Sequence, residues 1–209
     1  MSEPDRSGGQ YFDAAPASRH QRRTVPLVLP DLSLSLTTDA GVFAGDRVDA
    51  GTKFLLLDGP RPPAGGTHLL DLGCGYGPIA VALARRAPGA KVWAVDVNAR
   101  ARDLCRENAG AAGTTNVTVV DPDDVPGDVV FDAIWSNPPI RIGKAALHDL
   151  LRTWLDRLAP GGWAVLVVQK HLGADSLARW LAADGRPTER LASRQGYRLL
   201  RVTAATEQL

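Results

Sequence analysis

Cysteine is scarce in this 209-residue chain, histidine occurs four times, and charge of neither sign is in excess: 24 lysines and arginines face 23 acids, a net charge of +1 at pH 7. Each shortage excludes something. Cys74 and Cys105 alone make neither a disulfide framework nor a zinc site. A charge so near zero gives no global attraction to nucleic acid, so any contact with RNA or DNA must come from local basic patches. No apolar run reaches the ~20 residues that span a bilayer, and the opening Met1-Ser2-Glu3-Pro4-Asp5-Arg6 has no apolar signal core. A soluble, cytoplasmic protein is expected. No internal repeat or low-complexity segment is seen, and His148 and His171 have no partner motif. Ordinary apolar and charged fractions and a length that can bury one sizeable core indicate a folded globular protein.

The first ~20 residues mix Gly, Pro, Ser and charge without periodicity and read as a mobile arm over residues 1–24. Val25–Leu29 and Leu32–Thr37, broken by Pro30-Asp31, fit a small β-hairpin. A loop follows over Asp39–Gly45, then a helical pattern from Asp49 to Leu57 with Asp49 as its N-cap. From His68 the pattern alternates. Strands are expected near 67–71, 91–95, 116–120, 130–136 and 163–168, and helices near 78–86, 99–111, 144–158 and 174–183. Such alternation implies right-handed crossovers and a mostly parallel sheet covered on both faces. Thr188–Ser193 and Tyr197–Ala204, joined by Gln195-Gly196, have no helix between them and should add an antiparallel hairpin to that sheet. Trp93, Trp135, Trp154, Trp163 and Trp180 fall in strands or on helical faces and are expected in the core. Residues 25–209 thus read as one α/β domain.

Two segments carry the chemistry. The first is Asp71-Leu72-Gly73-Cys74-Gly75-Tyr76-Gly77-Pro78, a strand running into a glycine turn and then a helix, where bare backbone can approach a ligand closely. The dinucleotide fingerprint requires a third glycine where this chain has Pro78. Proline suits the first turn of a helix, because its missing N–H costs nothing there. Asp96 closes the next strand, Val92–Val95, about 20 residues beyond the turn, where a carboxylate can accept both ribose hydroxyls. A third strand ends in Asp121-Pro122-Asp123-Asp124.

The second segment is Asn137-Pro138-Pro139-Ile140, at the exit of the run Phe131–Ser136. An exocyclic amine conjugated to a base is a poor nucleophile because its lone pair is delocalised. Hydrogen bonds from its protons to the Asn137 side-chain oxygen and the Pro138 carbonyl would favour a tetrahedral nitrogen and aim the lone pair. No strong general base is then required. A nucleotide-like cofactor beside an amine-holding tetrapeptide suggests a methyl donor and a nitrogen acceptor.

These motifs resemble motif I and motif IV of class I S-adenosylmethionine-dependent amino-group methyltransferases. In order along the chain, Tyr11-Phe12 with Pro16, Thr38 to Phe43, Asp49 with Gly51-Thr52, Asp71 to Pro78, Asp96-Val97-Asn98, Asn137 to Ile140, Gly143-Lys144 and Gln169-Lys170 resemble one family. It is the RsmC-like ribosomal RNA guanine-N2 methyltransferases, the methyltransferase small-domain family. The resemblance implies a Rossmann-like fold and S-adenosyl-L-methionine as cofactor. It also implies that Gly41-Val42-Phe43, Asp49, Gly51 and Thr52 form a lid and first helix beside the methionine end. Asp71, Gly73, Cys74, Gly75 and Gly77 would pass under the cofactor, Asp96 and Val97 would lie at the ribose, and Asp123 is preferred over Asp121 and Asp124 for the adenine amine. Asn137 and Pro138, with Pro139 and Ile140, would hold the guanine amine. The best-known relatives carry a second, degenerate domain ahead of the catalytic one, and this chain has only a short segment there.

The implied partner is RNA, most simply small-subunit ribosomal RNA or an assembly intermediate. Arg141 and Lys144, next to the tetrapeptide, are the leading candidates for phosphate contact. Arg19, Arg22 and Arg23 in the arm and Arg194, Arg198 and Arg201 in the last hairpin are further candidates. Competing readings are methylation of a protein glutamine or small-molecule amine, and a non-catalytic RNA-binding scaffold on the same fold. The intact glycines, Asp96 and Asn137 argue against the scaffold.

Overall fold

The computed structural model describes residues 21–42 and 46–204. β1 (Arg23–Val28) and β2 (Ser33–Thr38) pair as an antiparallel hairpin. Its alternation puts Val25, Leu27, Leu34 and Leu36 inward. β1 starts at Arg23, inside the expected arm, because Arg23 and Thr24 already pair with Thr38 and Thr37; residues 1–20 of that arm lie outside the described residues. α1 (Ala50–Asp58) follows, with Asp49 as the N-cap whose carboxylate accepts from Thr52 N.

The alternating part of the chain folds as β3 (His68–Leu72), α2 (Pro78–Arg86), β4 (Lys91–Val95), α3 (Ala99–Ala111), β5 (Val117–Val120), β6 (Phe131–Ser136), α4 (Lys144–Leu155), β7 (Leu158–Gln169), α5 (Ala174–Ala183), β8 (Thr188–Arg194) and β9 (Tyr197–Thr203). The seven strands from β3 to β9 form one sheet in the order β5-β4-β3-β6-β7-β9-β8. β3 to β7 are mutually parallel, and β9 and β8 close the sheet antiparallel, as the pattern predicts. Strand order reverses at β3, which has β4 on one side and β6 on the other. Chain exits diverge at such a point and leave a crevice beyond the strand ends.

Period-two alternation splits the core into two layers. Leu69, Ala133, Trp135, Val165 and Val167 face α1, α2, α3 and the N-terminal hairpin. Leu70, Leu72, Ile134, Leu166 and Val168 face α4 and α5. Three details differ from expectation. α4 stops at Leu155, and β7 begins at Leu158 rather than near 163. The strand passes through Pro160-Gly161-Gly162 with a register shift opposite Phe131 and Ala133. Trp180 is only half-buried: it stacks on His148 with ring centroids 3.6 Å apart, and the Arg152 guanidinium lies over it.

The hairpin is held to the main sheet by polar stitches. Asn108 of α3 is fully buried. Its Oδ1 accepts from Thr37 N at 2.7 Å, and its Nδ2 donates to Thr37 O and Tyr76 O, each at 2.8 Å. Nearby, Asn98 Nδ2 donates to Gly41 O and Arg100 to Ala40 O. Asn108→Ala would leave an N–H and two carbonyls without partners inside the protein. The expected outcome is a loss of about 3 kcal/mol of unfolding free energy, measured as a lower urea midpoint with unchanged slope.

Candidate active site

The glycine turn leaves β3 with positive φ at Gly73, Gly75 and Gly77 (77°, 54° and 91°), a conformation open to glycine and strained for other residues. Gly73 N and Cys74 N donate to Val95 O across β4, which pins the turn to the neighbouring strand. A Cβ built on Gly73 or Gly75 meets nothing within 4 Å, whereas one on Gly77 would fall 2.6 Å from Cys105 Sγ. Two of the glycines therefore bare the backbone toward the crevice, and the third lets α2 pack on α3.

Asp96 ends β4 with Oδ2 accepting from Gly75 N at 2.8 Å and Oδ1 accepting from Asn98 N at 2.9 Å. Desolvation pushes its carboxyl above the usual range, against the pull of those two N–H groups and Arg102. Arg102 links the strand ends, donating to Asp96 O and pairing with Asp121 at 2.9 Å.

On the β6 side, Ser136 Oγ donates to Leu72 O at 2.7 Å and ties the two strand exits together. Asn137 follows. Its Nδ2 donates to Asp49 Oδ2 at 2.9 Å and to Thr52 Oγ1 at 3.1 Å. Both amide protons are thus engaged by the first turn of α1, and Oδ1 is left as an acceptor. Pro139, at φ −74° and ψ 73°, makes an inverse γ-turn in which Ile140 N donates to Pro138 O at 2.8 Å. One lone pair of that carbonyl is occupied and the other is open.

These groups surround a cavity of about 400 Å³. Asp49, Thr52, Gly73, Cys74, Gly75, Asp96, Val97, Asn137, Pro138, Pro139, Ile140 and Arg141 all line it, as the sequence suggests. Other expected residues stand elsewhere. Asp71 is wholly buried beneath the turn, with Oδ2 accepting from Ala80 N of α2. Gly51 faces the Tyr197 ring, and Gly77 faces Cys105. Asp123 is exposed in a single 3-10 turn (Pro122–Asp124), and Pro122 forms the cavity wall there. Lys144 opens α4, exposed and outside the cavity wall. Phe43 lies outside the described residues. The arginines of the last hairpin are engaged by acids: Arg194 by Asp58, Arg198 by Asp175 and Arg201 by Glu189. Arg22 pairs with Glu107, and Arg19 is outside the described residues.

Tyr76, Gln169 and Tyr197 also line the cavity, although no role in the site is assigned to them from sequence. Tyr76 is hidden in the glycine motif as an unremarkable position. Gln169 stands in one of the segments that carry the family resemblance, and its signal is a polar residue ending an apolar strand at the crevice edge of the sheet.

The methyltransferase small-domain model matches residues 33–201. The chain belongs to the methyltransferase small-domain family. Among proteins similar to this small-domain methyltransferase, Bacillus subtilis YbxB is 32% identical over 194 residues, 91% of this chain and 96% of that one. The ribosomal RNA small subunit methyltransferase C of Pseudomonas aeruginosa (strain LESB58) is 34% identical over 185 residues, 86% of this chain and 53% of its own length. Among solved structures, the Thermus thermophilus 16S rRNA N2 G1207 methyltransferase, in complex with AdoMet and guanosine, superposes with a TM-score of 0.75. It is 24% identical and the match covers 90% of this chain and 52% of that one. This likeness shows a class I methyltransferase fold. The chain spans about half the length of these two ribosomal RNA methyltransferases.

The family is S-adenosylmethionine-dependent, and the residues present fit that cofactor. The turn offers bare backbone, and Asp96 keeps lone pairs for hydroxyl donors. Tyr76 lines the same cavity, and its buried hydroxyl has no partner among the described residues. Among those residues no helix is long and apolar enough to cross a membrane.

Burial of Asp71 raises its pKa to about 8 from an ordinary 3.8, chiefly by desolvation. The folded protein therefore retains a proton that the unfolded chain has released. Its stabilising effect is full below pH ~3.8 and is lost as pH rises through about 8. Asp71→Asn keeps the acceptor for Ala80 N and removes the titration. The urea midpoint of the parent should fall between pH 5 and 8, and that of the variant should keep only the slope contributed by other groups such as Asp96. Parallel pH profiles would mean that Asp71 is ionised throughout.

Proposed function

We propose that this protein methylates the N2 amine of a guanine in RNA, its substrate being small-subunit ribosomal RNA or an assembly intermediate in the cytoplasm. The observation that carries the reading is the Asn137 amide: its nitrogen is held by Asp49 and Thr52, so its oxygen is the group presented to an incoming amine. The names of the ribosomal RNA methyltransferases among its relatives support the choice of substrate.

Bound S-adenosylmethionine supplies an electrophilic methyl group. Asp96 would accept from its ribose hydroxyls, the backbone of Gly73 to Gly75 would lie against it, and Val97 and Pro122 would bound the adenine side in place of a carboxylate from Asp123. The acceptor amine would give one hydrogen bond to Asn137 Oδ1 and one to the open lone pair of Pro138 O. Holding both protons draws the nitrogen toward tetrahedral geometry and directs its lone pair. As positive charge develops there, the Asp49 carboxylate behind the Asn137 amide strengthens the Asn137 dipole. The proton then leaves a cationic nitrogen and needs no strong base. Ile140 and Arg141 edge the cavity, and Lys144 stands just beyond, so a phosphate strand could cross this rim.

The direct test is nucleoside mass spectrometry of ribosomal RNA incubated with the protein and labelled cofactor. Appearance of N2-methylguanosine is expected; labelled product on another nucleoside, or none, would overturn the reading. In the same assay Asn137→Ala should lower turnover roughly a hundred-fold or more while cofactor affinity stays within a few-fold. Asp96→Ala should instead weaken cofactor binding by about 2–3 kcal/mol in a folded protein, as read by calorimetric titration. Unchanged affinity would remove Asp96 from the ribose site.

A further inference from the structure

Beside Asn137 the cavity wall is built from the end of β7 and the start of β9. Gln169 and Tyr197 are register partners there. Gln169 Nε2 donates to Tyr197 Oη at 2.8 Å, and both side chains line the cavity. Val167, one strand period before Gln169, lies on the same face and also lines it. β7 runs beside β6 with Leu166 opposite Ser136, so Gln169 stands past the exit of β6, on the side where Asn137 emerges.

The Tyr197 ring is seated with little slack. A Cβ on Gly51 would come within 2.6 Å of Tyr197 Cε1, so only glycine at this place in α1 admits the ring. The same helical turn supplies Asp49 and Thr52 to Asn137. One turn of α1 therefore fixes both the amine-holding amide on one side and the Tyr197–Gln169 pair on the other. Fixing both to one rigid element is what recognition of a planar group needs.

We propose that Gln169 and Tyr197 read the base, with Gln169 Oε1 accepting from guanine N1–H and the Tyr197 hydroxyl donating to guanine O6. The inference rests on the guanine-N2 reading above and adds the residues that select the base. Because Gln169 spends an N–H on Tyr197, its oxygen is free; because Tyr197 accepts that bond, its own proton is free. The order acceptor, acceptor, donor across Asn137, Gln169 and Tyr197 complements N2–H, N1–H and O6 along the guanine edge. An adenine or cytosine holding its amine at Asn137 would put a ring-nitrogen acceptor against Gln169 Oε1. Two acceptors facing each other in a closed site are strongly disfavoured.

The test uses guanosine and 2-aminopurine riboside, which has the same amine but an acceptor at N1 and no O6. Each is titrated into the full-length protein saturated with S-adenosylhomocysteine. The parent should prefer guanosine by about ten-fold or more, the factor expected for loss of a satisfied hydrogen bond. Gln169→Leu and Tyr197→Phe should each reduce that preference about ten-fold through loss of guanosine affinity alone. Affinity for S-adenosylhomocysteine should stay within two-fold and serves as the check on folding. Equal binding of the two nucleosides by the parent, binding of neither, or a preference unchanged in both variants would overturn the proposal. Failure of the guanine-N2 reading is seen separately, as absence of N2-methylguanosine in the ribosomal RNA assay. Equal binding of the two nucleosides with N2-methylguanosine still formed would leave that reading standing and sink only the roles of Gln169 and Tyr197.

Discussion

One carboxylate oxygen organises this molecule's chemistry. Asp49 Oδ2 accepts from Thr52 N, which starts α1, and from Asn137 Nδ2, which orients the amide of the Asn-Pro-Pro-Ile segment. A helix N-terminus carries partial positive charge and unsatisfied N–H groups, so an acid there is stabilised by its own helix before it meets any partner. Asp49 is thus held at the cavity wall by local structure, and Asn137 is held by Asp49. An amide oriented only by solvent could present either its oxygen or its nitrogen to a ligand; this one is fixed.

The N-terminal hairpin serves the same arrangement. It does not join the seven-stranded sheet, and its apolar residues alone could slide across the helices they cover. Asn108, Asn98 and Arg100 prevent this by hydrogen-bonding to backbone groups of residues 37 to 41. Buried amides of this kind add specificity of position more than net stability, since an unpaired partner is costly wherever it lies. The segment leading to Asp49 is thereby registered against the same helix, α3, whose Cys105 supports the glycine turn.

Fold class, element order and the antiparallel ending were legible because alternation of apolar runs and helical periodicity is a local property of the chain. Asp49 as a cap, Pro78 in a first turn and Asp96 at a strand end could be read for the same reason. Residues whose placement did not follow from the sequence were those that depend on which way a side chain turns at the sheet end. Asp71 lies one strand period from Gly73 yet points under the turn to α2, and Pro122 takes the wall position expected of Asp123. The bond between Asn137 and Asp49 spans 88 positions and leaves no trace in local pattern. Likewise Gly51 reads as a helix-start residue, while its reason for being glycine is an aromatic ring from the last strand.

That last contact has a consequence for how the protein is made. The cavity is closed by the first helix and the last strand, so its walls are joined by some of the longest loop closures in the chain. Contacts of that kind form late, because the entropy of closing the intervening chain is lost before the contact returns anything. During synthesis the parallel strands and the glycine turn can assemble while β9 is still unmade, but the Tyr197 ring has nothing to offer α1 until the chain has been read to its position. Competence for chemistry and completion of folding therefore arrive in the same step.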